Sequence, residues 1–171
     1  MNKEFKLLDP LKLENNIFDL IGKDWMLITA GNIHRYNTMT GSWGGFGVLW
    51  NRNICLCFVR PSRYTYQFLQ ETEHFTLSFF GEEYRKALSF CGSNSGRNVD
   101  KAATTGISPM ECSPTTVSFQ EAQLIAECKK LYFQDLDPNH FLDPTIDNNY
   151  KQKDYHRLYI GEIIRLFHKE Y

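Results

Sequence analysis

Residues 25–45 read Trp25-Met26-Leu27-Ile28-Thr29-Ala30-Gly31, then Asn32-Ile33-His34-Arg35, then Tyr36-Asn37-Thr38-Met39-Thr40-Gly41-Ser42-Trp43-Gly44-Gly45. The first run is apolar, β-prone and ended by a glycine, so it reads as a strand. Tyr36–Thr40 reads as its partner. Further along, Ile54–Val59 is β-rich and stops before Pro61, which cannot donate to a ladder. Phe75–Phe80 is an apolar strand ending at Gly81. Val117–Phe119 opens another β section, Leu124–Phe133 is a long strand with charges on one side, and Leu158–Phe167 is a closing strand. Helical spacing covers Tyr64–Glu73, where Tyr64, Phe68 and Leu69 share a face. Glu82–Cys91 reads as a helix ending at Gly92, with shorter turns at Asp100–Thr105 and Glu14–Ile21, while His140–Asn149 reads as a polar loop or broken helix.

About six strands with two or three short helices do not alternate as a doubly wound sheet requires. The glycine-rich dinucleotide fingerprint is missing too. The fold class expected is mainly β: an antiparallel barrel with short inserted helices. No repeat, low-complexity tract or Pro/Gly-rich linker divides the chain. Residues 1–23 read as a lead-in and 24–171 as a single domain.

The chain has 171 residues, enough for one sizeable core, with 42% hydrophobic and 15% aromatic residues. Its 19 basic and 20 acidic residues leave a formal net charge of −1. That balance argues against a nucleic-acid or anionic-membrane partner. No run of about eighteen apolar residues suggests a membrane span, and Met1–Lys6 lacks the apolar core of a signal peptide. The cysteines, at 55, 57, 91, 112 and 128, are odd in number and form no C-x-x-C pair. A disulfide framework and a zinc site are therefore not expected, and a reducing cytoplasm is. Cys55 and Cys57 read as small residues on one strand face.

Chemistry concentrates in three segments. In Asn37–Gly45, Thr40 and Ser42 project from one face of an extended chain and Asn37 offers an acceptor and two donors. Trp43 can pack against a ring, and Gly44 and Gly45 let the main chain come close. The alternative is a glycine-rich turn between strands with a core tryptophan. In Val59-Arg60-Pro61-Ser62-Arg63-Tyr64-Thr65, two arginines and two hydroxyls suit a phosphate, with Thr65 near a helix start. The plain alternative there is a strand-to-helix turn capped by Ser62. The third segment, Gly92-Ser93-Asn94-Ser95-Gly96-Arg97-Asn98-Val99-Asp100-Lys101, is small and flexible and ends on a point charge. A ring-binding stretch and a phosphate-binding one about twenty residues apart suggest a cofactor carrying both groups. The histidines, at 34, 74, 140, 156 and 168, show no metal-ligand spacing. Asp154-Tyr155-His156 reads as a solvated lead into the last strand. No nucleophile elbow is present, so neither catalytic nor metal-binding side chains are assigned.

In order and spacing, these segments resemble those of the flavin reductase-like family, the FMN-binding split barrel, and within it the flavoredoxin-like branch. Phe75-Thr76-Leu77-Ser78-Phe79 and Leu158-Tyr159-Ile160-Gly161-Glu162-Ile163 extend the resemblance over roughly residues 24–165. It implies a homodimeric antiparallel split β-barrel holding FMN noncovalently near the subunit interface. Asn37, Thr40, Ser42 and Trp43 would line the ring. Arg60, Ser62, Arg63, Tyr64 and Thr65 would serve the phosphate and ribityl end, with Ser95 and Lys101 reaching the flavin from the third segment. His140 and Phe167 stand where that branch places further ring neighbours. Asn98 replaces an aspartate common in the family's pattern but leaves Lys101 in register. The activity implied is an FMN-dependent oxidoreductase taking electrons from NAD(P)H or a redox protein. An electron carrier with little turnover and a flavin-free ligand-binding barrel are the alternatives.

Overall fold

The computed structural model describes residues 5–169. Ten strands run β1 (Phe5–Leu7), β2 (Met26–Asn32), β3 (Arg35–Gly41), β4 (Gly44–Leu49), β5 (Arg52–Val59), β6 (His74–Phe79), β7 (Pro109–Ser113), β8 (Thr116–Phe119), β9 (Leu124–Asp135) and β10 (Arg157–Lys169). Three helices are inserted: α1 (Tyr64–Glu71), α2 (Arg85–Ser93) and α3 (Lys101–Thr105). The main sheet runs β3-β2-β6-β9-β10-β5-β4, with β1 also on β10, and every pairing in it is antiparallel. The expected mainly β, antiparallel class holds.

β3 and β4 are the two ends of that order, yet only Ser42 and Trp43 separate them in the chain. Two residues span less than about 8 Å, so the sheet must curl until its ends meet. Irregular register in β10 at Ile160/Gly161 and at Ile163/Arg165 bends the two longest strands. The result is a barrel closed in space but not hydrogen-bonded along the β3/β4 seam.

Both sheet faces are covered. Met26, Ile28 and Ala30 of β2 join Cys55, Cys57, Phe75, Leu77, Cys128 and Tyr159 inside the barrel, where Phe68 and Leu69 of α1 pack. Leu27, one residue out of phase, packs on the other face with Leu88, Cys91, Ala102, Phe119 and Ile125. Burial on both sides explains why β2 reads as a continuous apolar run rather than an alternation.

Three strands were not legible in the sequence. Gly44 and Gly45 read as a close-approach stretch for a ligand, with a glycine-rich turn as the alternative, and Phe46–Leu49 carries no assignment; the ladder to β5, from Gly44↔Cys57 to Leu49↔Arg52, makes the segment a strand despite three glycines. β7 begins on Pro109, a position proline tolerates. β1 is short and comes from the lead-in, whose Leu20 and Ile21 are also buried, in a π-helical turn (Asp19–Lys23) where a helix at 14–21 was expected. The β4–β5 hairpin turns through Trp50 and Asn51, both left-handed at φ 52° and 57°, the type I′ geometry.

The β7–β8 hairpin docks on the sheet through polar contacts. Thr76 Oγ1 donates to Val117 O at 2.7 Å, and Ser78 and Ser118 hydroxyls bond at 2.7 Å. Thr116 Oγ1 donates to Glu127 Oε1 at 2.8 Å, and Arg165 Nε to Glu127 Oε2 at 2.5 Å. Glu127 is 1% exposed. Burial alone would raise its pKa, but bonds from Arg165, Thr116 and Ser113 outweigh that and hold the carboxyl below its ordinary value. A lowered folded pKa contributes stability above the unfolded value, lost as pH falls through the folded one. Glu127→Gln is expected to lower unfolding free energy by about 1–3 kcal/mol at neutral pH, and the gap should close below about pH 4. Urea titrations of both proteins across pH check this.

Candidate functional site

The β3/β4 seam leaves one edge of β3 without a strand partner. In an antiparallel ladder the N–H and C=O of one residue point the same way. Lys101 Nζ donates to Thr38 O at 2.7 Å from the side opposite β2. Thr40, two residues on, therefore turns its main-chain N–H and C=O outward as well. Its hydroxyl is spent on Leu88 O at 2.5 Å, tying β3 to α2.

Around this edge lies a small cavity of about 150 Å³ lined by Thr40, Ser42, Trp43, Arg60, Arg63 and His156, with Met39, Gly41 and Phe58. The rings of Trp43 and His156 lie 4.9 Å apart. Tyr150 Oη bonds His156 Nδ1 at 2.9 Å. Burial, and then Arg60 and Arg63, push the His156 pKa down to about 4 against the pull of Asp154. The ring is thus neutral at physiological pH, with Nδ1 held by the Tyr150 hydroxyl.

Two larger cavities flank this one. A cavity of about 450 Å³ shares Arg60 and Arg63 with it and adds Ser62, Asn149, Lys151 and Asp154 among its walls. A cavity of about 520 Å³ is walled by Asn37, Thr38, Tyr64, Arg97 and Lys101, among others. Arg63 donates to Gly92 O at 2.8 Å, at the end of α2.

The cations differ in their partners. Arg35, Arg52, Arg60, Arg85, Arg157 and Arg165 each pair with a carboxylate. Among the described residues Arg63 and Arg97 have none; Arg63 lines the two cavities that Arg60 also lines, and Arg97 lines the 520 Å³ one. Arg97 lies over the Tyr64 ring at 4.7 Å and donates to Ser62 O at 3.5 Å. Lys101 is buried, holds Thr38 O and Cys91 O at 2.7 Å each, and lacks a carboxylate too. Burial pulls its pKa down to about 8; Cys91 opposes this and Arg63 adds to it.

The other predicted residues distribute as follows. Asn37 is buried, faces the larger cavity rather than the Trp43 side, and donates from Nδ2 to Thr65 Oγ1 at 2.7 Å. Gly96 packs so closely on it that a Cβ would stand 1.9 Å from Asn37 Oδ1. Ser62 does not cap α1, whose N-cap residue is Arg63 with no side-chain cap bond. Its hydroxyl goes to Asp154 at 3.0 Å, and Arg60 pairs with the same carboxylate at 2.9 Å. Gly44, expected to admit a ligand, is required by β5 instead: a Cβ would stand 2.4 Å from Leu56 O. Ser95 shapes the turn before α3, accepting from Arg97 N at 3.3 Å. His140 is exposed near Asp137, and Phe167 packs under Arg165 on β10; this chain brings neither to the cleft.

Sequence reasoning missed His156 and Asp154. They reach the cleft because Arg157 pairs with Val59 in the β10/β5 ladder, which sets His156 beside Arg60. No local spacing carries that register. Arg97 lies in the glycine-bearing loop before α3, where nothing in the local sequence distinguishes it from a solvated arginine.

Among the described residues no helix is long and apolar enough to cross a membrane, and no cluster of three metal-ligating side chains occurs. No curated protein matches the chain significantly. Solved structures do. Flavoredoxin from Methanosarcina acetivorans aligns at 22% identity and a TM-score of 0.70, covering 95% of this chain and 77% of that one. Flavoredoxin of Desulfovibrio vulgaris (Miyazaki F) aligns at 20% and 0.66, covering 96% and 78%. Nitrilotriacetate monooxygenase component B from Bacillus cereus aligns at 18% and 0.66, covering 95% and 80%. At these identities the likeness establishes the split-barrel fold. The family model for the flavin reductase-like domain matches residues 20–170, and with nearly the whole chain inside that match the protein belongs to the flavin reductase-like family.

Proposed function

We propose that the cleft binds FMN noncovalently and that the protein is an oxidoreductase, passing electrons from reduced nicotinamide or a protein donor to an acceptor. One observation carries this reading: in a chain of net charge −1, the arginines without a carboxylate, Arg63 and Arg97, line neighbouring cavities, with Lys101 on the same cavity as Arg97 and Arg97 bonded to Ser62 O beside Arg63. Unpaired cations on neighbouring cavity walls await an anion. Arg63 and Arg97 are assigned to the phosphate, assisted by the uncapped start of α1. The outward N–H and C=O of Thr40 suit the alternating donors and acceptors of a flavin ring edge. Ser42, Trp43 and neutral His156 wall the same space without adding charge. Asn37, Tyr64, Thr65 and Lys101 support the side of the cleft toward the ribityl chain. Flavoredoxins and a Thermus thermophilus FMN-binding protein among the structural neighbours favour the same cofactor.

Bound FMN would supply the hydride and electron chemistry, so the chain needs no nucleophile of its own. The carrier alternative is separated from turnover by anaerobic stopped-flow reduction, since a carrier accepts electrons from a redox protein far faster than from NAD(P)H. The compartment proposed is the cytoplasm.

A homodimer is also proposed. Trp50, Tyr132 and Phe133 are exposed, and Trp50 and Tyr132 meet edge to face with centroids 6.5 Å apart. Trp50 holds a left-handed turn position that asparagine or glycine would fill at less cost. An aromatic kept there against local preference favours a contact outside the chain.

Protein reconstituted with FMN should show a flavin absorbance spectrum. Arg63→Ala and Arg97→Ala should each weaken FMN by about ten- to a hundredfold in fluorescence titration, while riboflavin changes little; a colourless protein that takes up no FMN would sink the reading. Lys101 loses its charge as pH rises through about 8. FMN affinity should therefore fall above that pH in the natural protein and run flatter in Lys101→Ala. Light scattering should find a dimer, shifted toward monomer in Trp50→Gly with the fold retained.

A further inference from the structure

Arg60 and Ser62 belong by sequence to the phosphate-binding stretch, yet an acid of the chain itself already holds them. Asp154 Oδ1 accepts from Arg60 Nη1 at 2.9 Å and Oδ2 from Ser62 Oγ at 3.0 Å. The second guanidinium nitrogen, Nη2, donates to Asn149 O at 2.9 Å, and the guanidinium lies 5.0 Å over the Tyr150 ring. This pair is better shielded than the chain's other ion pairs near the cleft. The Arg60 and Asp154 side chains are 26% and 17% exposed, against 63% and 51% for Arg35 and Glu71. Breaking a shielded pair strands a charge and is costly, so an incoming anion gains little by displacing Asp154. Arg63, on the next turn of the same loop, has no such partner and faces both cavities that Arg60 lines.

We propose that Asp154 is a resident anion of the cleft: it withdraws Arg60 and Ser62 from ligand binding, confines a ligand's phosphate to the Arg63–Arg97 half, and sets how strongly the cleft prefers a phosphorylated flavin over riboflavin. This rests on the FMN reading above. Asp154 is then a specificity-determining residue that never touches the ligand. Its charge repels the phosphate across the cavity it shares with Arg63, and its bonds to Arg60 and Ser62 tie residue 154 to the loop between β5 and α1. Arg60 cancels most of that charge, so the two act as one unit.

The measurement is the ratio of FMN to riboflavin affinity, taken by fluorescence titration on the full chain, because a general loosening of the cleft cancels in it. Asp154→Asn is expected to raise the ratio about fivefold to tenfold, as removal of one nearby like charge would. Arg60→Gln should lower it by a similar factor. The double variant R60Q/D154N removes both charges together and should return the ratio to within about twofold of the natural protein. Ser62→Ala keeps both charges and should keep the ratio. An unchanged ratio in Asp154→Asn overturns the proposal. So does a double variant as weak as Arg60→Gln alone, which would mean that Arg60 itself holds the phosphate. A collapsed ratio in Ser62→Ala overturns it too and keeps the test alive should a charge variant fail to fold. Natural protein that binds neither flavin would overturn the FMN reading and this inference together, whereas every other adverse result falls on Asp154 alone.

Discussion

The two-residue link between β3 and β4 is the constraint on which the rest of the molecule depends. Those strands are opposite ends of one sheet, and joining them through Ser42 and Trp43 forces the sheet round into a barrel. The closure stays unbonded, so one edge of β3 keeps main-chain donors and acceptors that no strand satisfies. A buried, unpaired backbone group is costly. Lys101 covers part of that edge from α3, and the part at Thr40 opens on a cavity between an indole and an imidazole. Barrel closure and site formation are therefore one event.

Charge is handled in the same economical way. Across the described surface, arginines are matched with carboxylates, which keeps the molecule near neutrality. The exceptions, Arg63 and Arg97, line neighbouring cavities, and their guanidinium groups bond only main-chain carbonyls. Carbonyls orient a guanidinium without cancelling its charge. The cleft thus stays attractive to an anion although the chain as a whole does not. Asp154 moderates this by taking Arg60 out of the set.

Legibility followed the range of the interactions involved. β2, β5, β6 and the closing strand were visible because apolar, β-branched or aromatic runs bury at least one face whatever the topology. β4 was not, because Gly44, Gly45 and Gly47 carry no strand preference and the ladder to β5 alone makes them extended. At the site, the Arg60–Thr65 and Ser93–Lys101 stretches were recognisable as polar, glycine-bearing loops between elements. The division of labour within them was not: Ser62 looked like a helix cap and Arg60 like a phosphate ligand until Asp154 arrived from more than ninety positions later in the chain.

By itself the sequence determined the β-rich class, the lack of a dinucleotide fingerprint and the family resemblance carried by three ordered segments. Those properties live in composition and short-range spacing, which the linear chain records directly. Only the tertiary structure decided which residues share the cleft. The β10/β5 register set His156 and Asp154 beside Arg60, and strand β3 turned Asn37 and Thr40 to different cavities. Register is a cooperative property of the closed barrel, fixed by burial on both faces of the sheet, and no local stretch of residues encodes it.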